Sequence, residues 1–160
     1  MKLKQSKPIW QTIGLGIIAG MRTSSAPLVV NQLLNRHPSK TIASSPLRFI
    51  QSDTFGILSK LFAAGELIGD KLPKTPDRIK PGGLIGRGLS GALAGACIFK
   101  ANGTNVYEGA TIGLLTAVSA TFGSWWLRKT AGNKTKVNDV WIGAIEDMLV
   151  AGAGFAIVKV

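Results

Sequence analysis

Apolar residues along this chain gather in five runs: Ile9 to Val30, Phe55 to Gly69, Leu84 to Phe99, Tyr107 to Leu127 and Val140 to Val158. Lengths of this order predict helices. Only the fourth run, uncharged between Gly109 and Leu127, approaches the roughly 20 apolar residues that cross a bilayer unaided. The second and third are short; they span if flanking residues such as Lys71 and Lys100 snorkel, or if the helices stop partway. The pattern predicts an all-α, polytopic transmembrane bundle of about five helices, forming a single domain over residues 1–160. A soluble bundle is the alternative, but it would have to bury glycine-rich helices of low intrinsic propensity.

Composition strengthens the membrane reading. Of the 160 residues only 17% are charged while 46% are hydrophobic, and the mean hydropathy is +0.26. A soluble domain carries about 25% charged residues. The formal net charge of +11 raises the question of nucleic acid. Most of the Lys and Arg instead sit in the gaps between apolar runs, as in membrane proteins whose loops face anionic lipid. The expected partners are therefore the bilayer, anionic lipid at the basic loops and further copies of the chain, with no nucleic acid. One cysteine, Cys97, and one histidine, His37 beside Pro38, leave almost no material for a disulfide, a zinc site or a Ser/His triad. No cofactor and no enzymatic activity are expected. The glycines at 82, 83, 86 and 88 lack the preceding strand that a phosphate-binding loop requires.

Loop charges predict an orientation. Lys2, Lys4 and Lys7, then Lys71, Lys74, Arg78 and Lys80, then Arg128, Lys129, Lys134 and Lys136 fall on one side of a five-span chain. The positive-inside rule makes that side cytoplasmic, with the N-terminus, in the cell (inner) membrane. Trp10, Trp125, Trp126 and Trp141 are expected at the same interface. The exception is 31–54, which carries Arg36, Lys40 and Arg48 on the outer side and is long enough for a short interfacial helix. The basic start followed by an apolar run has the general form of a signal peptide, but Arg22 follows the run directly, so a retained helix is expected.

Among the charges within or directly beside the apolar runs, six stand out: Arg22, Glu66, Asp70, Arg87, Glu146 and Asp147. Charges at membrane depth are costly and must face one another or a wet cavity, which makes them the candidate intramembrane site. Glu66 and Asp70 share a helix face at i and i+4. Arg87 shares one with Gly91 and Gly95, and Asp147 with Gly143 and Ala151, while Glu146 points elsewhere. Arg22 and Arg87 are expected to neutralise some of the four acids. Glycine pairs four apart, at 16 and 20, 65 and 69, 91 and 95, and 109 and 113, predict close helix packing. Met21-Arg22-Thr23-Ser24-Ser25-Ala26-Pro27 predicts a kink, an unwound turn or a helix end. In the five-span layout the first and fourth runs, and the second and fifth, are oppositely directed, as in the inverted repeats of transporters.

The chain resembles the bacterial membrane proteins grouped as domain-of-unknown-function family 4126. The resemblance runs through Gly20-Met21-Arg22-Thr23, Ala26-Pro27, Glu66-Leu67-Ile68-Gly69-Asp70-Lys71-Leu72-Pro73, Thr75-Pro76 and Arg78. It continues through Gly86-Arg87, Ser90-Gly91-Ala92-Leu93-Ala94-Gly95-Ala96, Thr121-Phe122-Gly123 and Ile145-Glu146-Asp147. It implies a small polytopic helical membrane protein and brings no activity with it. Two classes of function are open to these residues: translocation of an ion or small solute through the acidic site, or a structural, assembly or lipid-binding role in which the charges specify helix pairing.

Overall fold

The computed structural model describes residues 8–69, 79–134 and 139–159, and among these all regular structure is helical. The helices are α1 (Pro8–Met21), α2 (Ser25–Arg36), α3 (Lys40–Ala43), α4 (Asp53–Gly69), α5 (Pro81–Ala101), α6 (Val106–Lys134) and α7 (Asp139–Lys159), with a 3-10 turn at Pro46–Gln51. Two of them, α5 and α6, are long and apolar enough to cross a membrane. Large apolar side chains project outward on four helices, among them Phe62 on α4, Ile85 and Leu89 on α5, Phe122 on α6 and Met148 on α7.

Helices α1, α5 and α6 form the centre because small residues let their backbones meet. A side chain at Gly95 would overlap the Gly109 carbonyl, and one at Gly113 the Gly91 carbonyl. A Cβ at Gly16 would come within 2.6 Å of Thr116 Cβ, and one at Gly20 within 2.5 Å of the Ala117 carbonyl oxygen. Three of the four predicted glycine pairs therefore sit at helix contacts. The pair at 65 and 69 does not behave this way, since nothing lies within 4 Å of a Cβ at Gly65. Helices α5 and α6 are joined by a tight turn in which Gly103 takes a φ of +71°, a conformation glycine adopts without steric cost. Asn105 caps the start of α6 by accepting from Tyr107 N at 3.0 Å.

These contacts fix the directions. Thr12 meets Gly95, Gly16 meets Gly113 and Gly20 meets Ala117, so α1 runs parallel to α6 and antiparallel to α5. Helix α2 then turns back: Ser90 lies against Thr23, while Thr41, just beyond α2, bonds to the Lys100 carbonyl at 2.8 Å. On α7, Gly154 meets Val29 of α2 and Ile157 meets Gly14 of α1. Thus α1 and α2 form a helical hairpin whose tip, residues 22–24, lies level with the middle of α5, α6 and α7.

The first apolar run is therefore two antiparallel helices rather than one crossing. At 14 and 12 residues, with 1.5 Å of rise per residue, they reach about 21 and 18 Å, well short of the roughly 30 Å of a hydrocarbon core. The break falls where the sequence carries Arg22, Thr23 and Ser24, and Pro27 comes next in the first turn of α2, where its missing N–H costs nothing. The end of the molecule bearing Pro8, Arg36 and Ala101 is the base, and the end bearing Gly69, Pro81 and Lys134 the crown.

The hairpin corrects three expectations. Pro8, at the start of α1, lies at the base, opposite Gly69, Pro81, Lys134 and Asp139 at the crown, so the described helix ends that flank the three basic segments do not share a side. Trp10, 67% exposed, lies at the base and Trp126, 60% exposed, toward the crown; they mark two levels rather than one. The first and fourth runs, α1 and α6, point the same way, so the opposed pairing behind the inverted repeat does not hold for them. The 31–54 stretch does hold short helices. Ile42 and Ile50 are fully buried, Asn31 Nδ2 donates to the Ile50 carbonyl at 2.6 Å, and Ser39 and Thr41 donate to the last carbonyls of α5, which closes the base.

Candidate functional site at the hairpin tip

A helix break leaves backbone donors and acceptors without helical partners, and at membrane depth it is tolerated only where protein or water satisfies them. Here three helices supply partners for the backbone and a fourth pairs with the Arg22 side chain. Glu66 of α4 accepts from Thr23 N at 2.9 Å, Ser24 N at 3.0 Å and Ser24 Oγ at 2.5 Å. Ser24 precedes α2 and makes no side-chain cap of its own, so the Glu66 carboxylate caps α2 in its place, at the positive end of the helix dipole. Ser90 Oγ of α5 donates to the Thr23 carbonyl at 2.5 Å. Thr121 Oγ1 of α6 is shared between its own Ala117 carbonyl at 2.8 Å and the Gly20 carbonyl at 3.2 Å, near the last turn of α1. Asp147 of α7 forms an ion pair with Arg22, receiving Nε at 2.6 Å and Nη2 on the same carboxylate oxygen.

Of the six charges singled out in the sequence, Arg22, Glu66 and Asp147 meet at this tip. Arg87 is buried in α5, one turn before Ser90. Asp70 and the side chain of Glu146 lie outside the described residues. The pairing of an intramembrane Arg with an acid thus takes the form Arg22–Asp147. The hydroxyls of Ser24, Ser90 and Thr121 were not among the predicted site residues. Their signal is weak in a sequence, because a serine in a small-residue helix usually reads as packing; a break with unmet backbone groups is what gives them work.

Beside the tip, between α2, α4 and α5, lies a cavity of about 740 Å³. Thr23, Ser24, Ser90 and Glu66 form its polar end, and Phe55, Leu58, Phe62, Leu89 and Leu93 line the rest. It opens on the outer face of α4 and α5, where Phe62 and Leu89 are 70% and 62% exposed. The open space at Gly65 belongs to this cavity. Among the described residues, no three His, Cys, Asp or Glu side chains gather into a group able to hold a metal ion.

No family model, curated protein or solved structure matches the chain.

The hydroxyl ties give a graded prediction. Ser90→Ala removes the donor to a part-buried carbonyl and is expected to cost about 1–2 kcal/mol, the scale of an acceptor left unmet. Ser124→Ala, whose hydroxyl bonds within α6 to the Thr121 carbonyl at 3.1 Å, should cost less. Thermal unfolding of the two variants in the same detergent checks the order.

Proposed function

We propose that this protein is an integral membrane protein that translocates an ion or small solute, with the α1–α2 hairpin tip and the carboxylates of Glu66 and Asp147 as its working site. The observation that carries this reading is the break between α1 and α2, level with the middle of α5, α6 and α7, capped by a carboxylate from another helix and flanked by a cavity. Half-helices meeting at the middle of a bilayer are the arrangement by which transporters present dipole ends and freed backbone groups to a substrate. Glu66 accepts three hydrogen bonds from the tip; adding a proton removes its charge and part of its accepting capacity, which loosens the tip. Proton or cation exchange at Glu66 is thereby linked to hairpin position. The test is proton and cation flux in sealed liposomes, comparing wild type with Glu66→Gln and Asp147→Asn. The expected result is flux that both substitutions reduce at least tenfold; flux equal to empty liposomes, from protein shown to be folded, overturns it.

The membrane arrangement we propose is α4 to α7 crossing and α1–α2 entering and leaving on the base side, in place of five full crossings. The exposed apolar side chains of α4 to α7 support it. Anionic lipid at the basic ends and a homo-oligomer belong to the same reading, as does membership of the family that the sequence resembles.

Orientation takes a different form under this arrangement. In sequence, Lys71, Lys74, Arg78, Lys80, Arg128, Lys129, Lys134 and Lys136 fall near the junctions of α4 with α5 and of α6 with α7, whose described ends form the crown. Lys2, Lys4, Lys7, Arg36, Lys40, Arg48, Lys100 and Lys159 fall near the helix ends that form the base, eight in each set. A balance of this kind gives the positive-inside rule nothing to act on. Paired reporter fusions after Lys159, one active only in the cytoplasm and one only outside it, are expected to show both orientations. Adding two lysines to either end should fix one of them.

A second reading, in which the protein is structural or lipid-binding, is favoured by the Arg22–Asp147 pair, an arrangement that also holds helices together. It predicts that substitutions at Arg22 destabilise the bundle while no flux is found.

A further inference from the structure

We propose that the cavity between α2, α4 and α5 is a binding site for an amphipathic organic cation, with Glu66 facing the positive charge and the Phe55–Phe62 side of the groove taking the apolar body. This deepens the translocation reading by giving its substrate class, and it rests on that reading only for transport, not for binding.

Three observations carry it. The volume, about 740 Å³, is in the range of sites for drug-sized molecules, which are typically apolar with a few placed polar groups. Among the described residues lining the cavity, Glu66 is the only charged one. A carboxylate offers about four lone-pair directions; the tip takes three of them, and the same Glu66 lines the cavity. Arg22, whose guanidinium pairs with Asp147 of α7 and whose charge also acts on Glu66, does not line the cavity.

The chemistry selects among occupants. A fatty acid or other organic anion would bring a second negative charge to Glu66 in a low-dielectric setting, where like charges repel strongly. A neutral chain would fill the apolar part and bring no opposite charge to the carboxylate at the polar end. A cation with apolar substituents satisfies both ends, and aromatic faces such as those of Phe62 and Phe55 add attraction for it. The opening beside Phe62 and Leu89 lets such a molecule enter sideways from hydrocarbon, where amphipathic cations concentrate.

Gly65 supplies a test, because it lines the cavity and a Cβ there meets nothing within 4 Å, while leucine is a better helix former than glycine. The experiment is equilibrium binding of radiolabelled tetraphenylphosphonium to the full chain in lipid nanodiscs, with tetraphenylborate as the isosteric anion. The expected result is saturable tetraphenylphosphonium binding, weakened at least tenfold by Gly65→Leu and by Glu66→Gln, with no saturable tetraphenylborate binding. Unfolding curves of Gly65→Leu serve as the control for fold. The proposal is overturned by absence of saturable cation binding, by cation binding that Gly65→Leu leaves unchanged, or by equal binding of the anion. Cation binding without proton or cation flux sustains this site and removes the translocation reading; flux without cation binding does the reverse.

Discussion

Replacing Gly95 by valine should abolish the folded bundle or destabilise it by about 4 kcal/mol or more, at the exceptional end of single substitutions. The reason is geometric. A Cβ at Gly95 overlaps the carbonyl of Gly109 and comes within 2.8 Å of Thr12 Cγ2, so α5 would have to leave both α6 and α1. Neither neighbour can give: the first is backbone, and the second belongs to a fully buried residue. Ordinary overpacking costs about 1–3 kcal/mol because flexible side chains absorb it; here no flexible atom is available. Gly65→Ala is the matched control, with open space around the new methyl group, and it should gain about 0.5–1 kcal/mol from helix propensity. Denaturation of both variants in one mixed-micelle system measures the contrast. A loss at Gly95 of less than 1 kcal/mol would mean that α5 and α6 do not pack through these glycines.

The glycine spacing at 91 and 95 and at 109 and 113 was legible because close packing needs small residues at a fixed helical interval, which is a local property of sequence. The break near Arg22 was legible for a similar reason, since hydroxyls and a proline after a glycine-rich helix announce unmet backbone groups. The path of the chain beyond the break was not legible. A chain leaving a helix end can continue onward or return, and the choice lies in what receives it: Gly154 of α7 beside Val29, and Glu66, Ser90 and Thr121 around the tip. Each of these is distant from the break in sequence, so no local window along the chain contains them. The orientation and the opposed pairing of the first and fourth runs rested on counting crossings, and both changed once α1 and α2 were seen to double back. The charges were found more easily than their roles. Arg22 and Asp147 stand out as polar residues in apolar runs, whereas Glu66 as a cap for α2 depends on two helices separated by the short helical segments at the base.

Arg22→Gln and Asp147→Asn are each expected to destabilise the protein by about 2–4 kcal/mol, and the double variant by less than the sum. Breaking one side of a buried pair leaves an uncompensated charge, at a cost of about 3–5 kcal/mol where no water reaches it. Asp147 keeps 30% of its side-chain surface and Arg22 only 9%, so the two single variants should be unequal. Removing the acid takes a carboxylate from the more deeply buried cation and should cost more than removing the arginine. The double variant restores neutrality and lets two amides hydrogen-bond across the gap, giving a coupling of about 2–3 kcal/mol, within the range for residues in direct contact. The cycle also bears on function. A tip clamped by several kcal/mol between α1 and α7 moves only when that clamp is released, so flux through the proposed site would have to depend on Asp147 as much as on Glu66. A coupling near zero would mean that water screens the pair, and the Arg22–Asp147 contact would then add little to the hold that Glu66, the hydroxyls and the packing of Gly154 on Val29 give the hairpin.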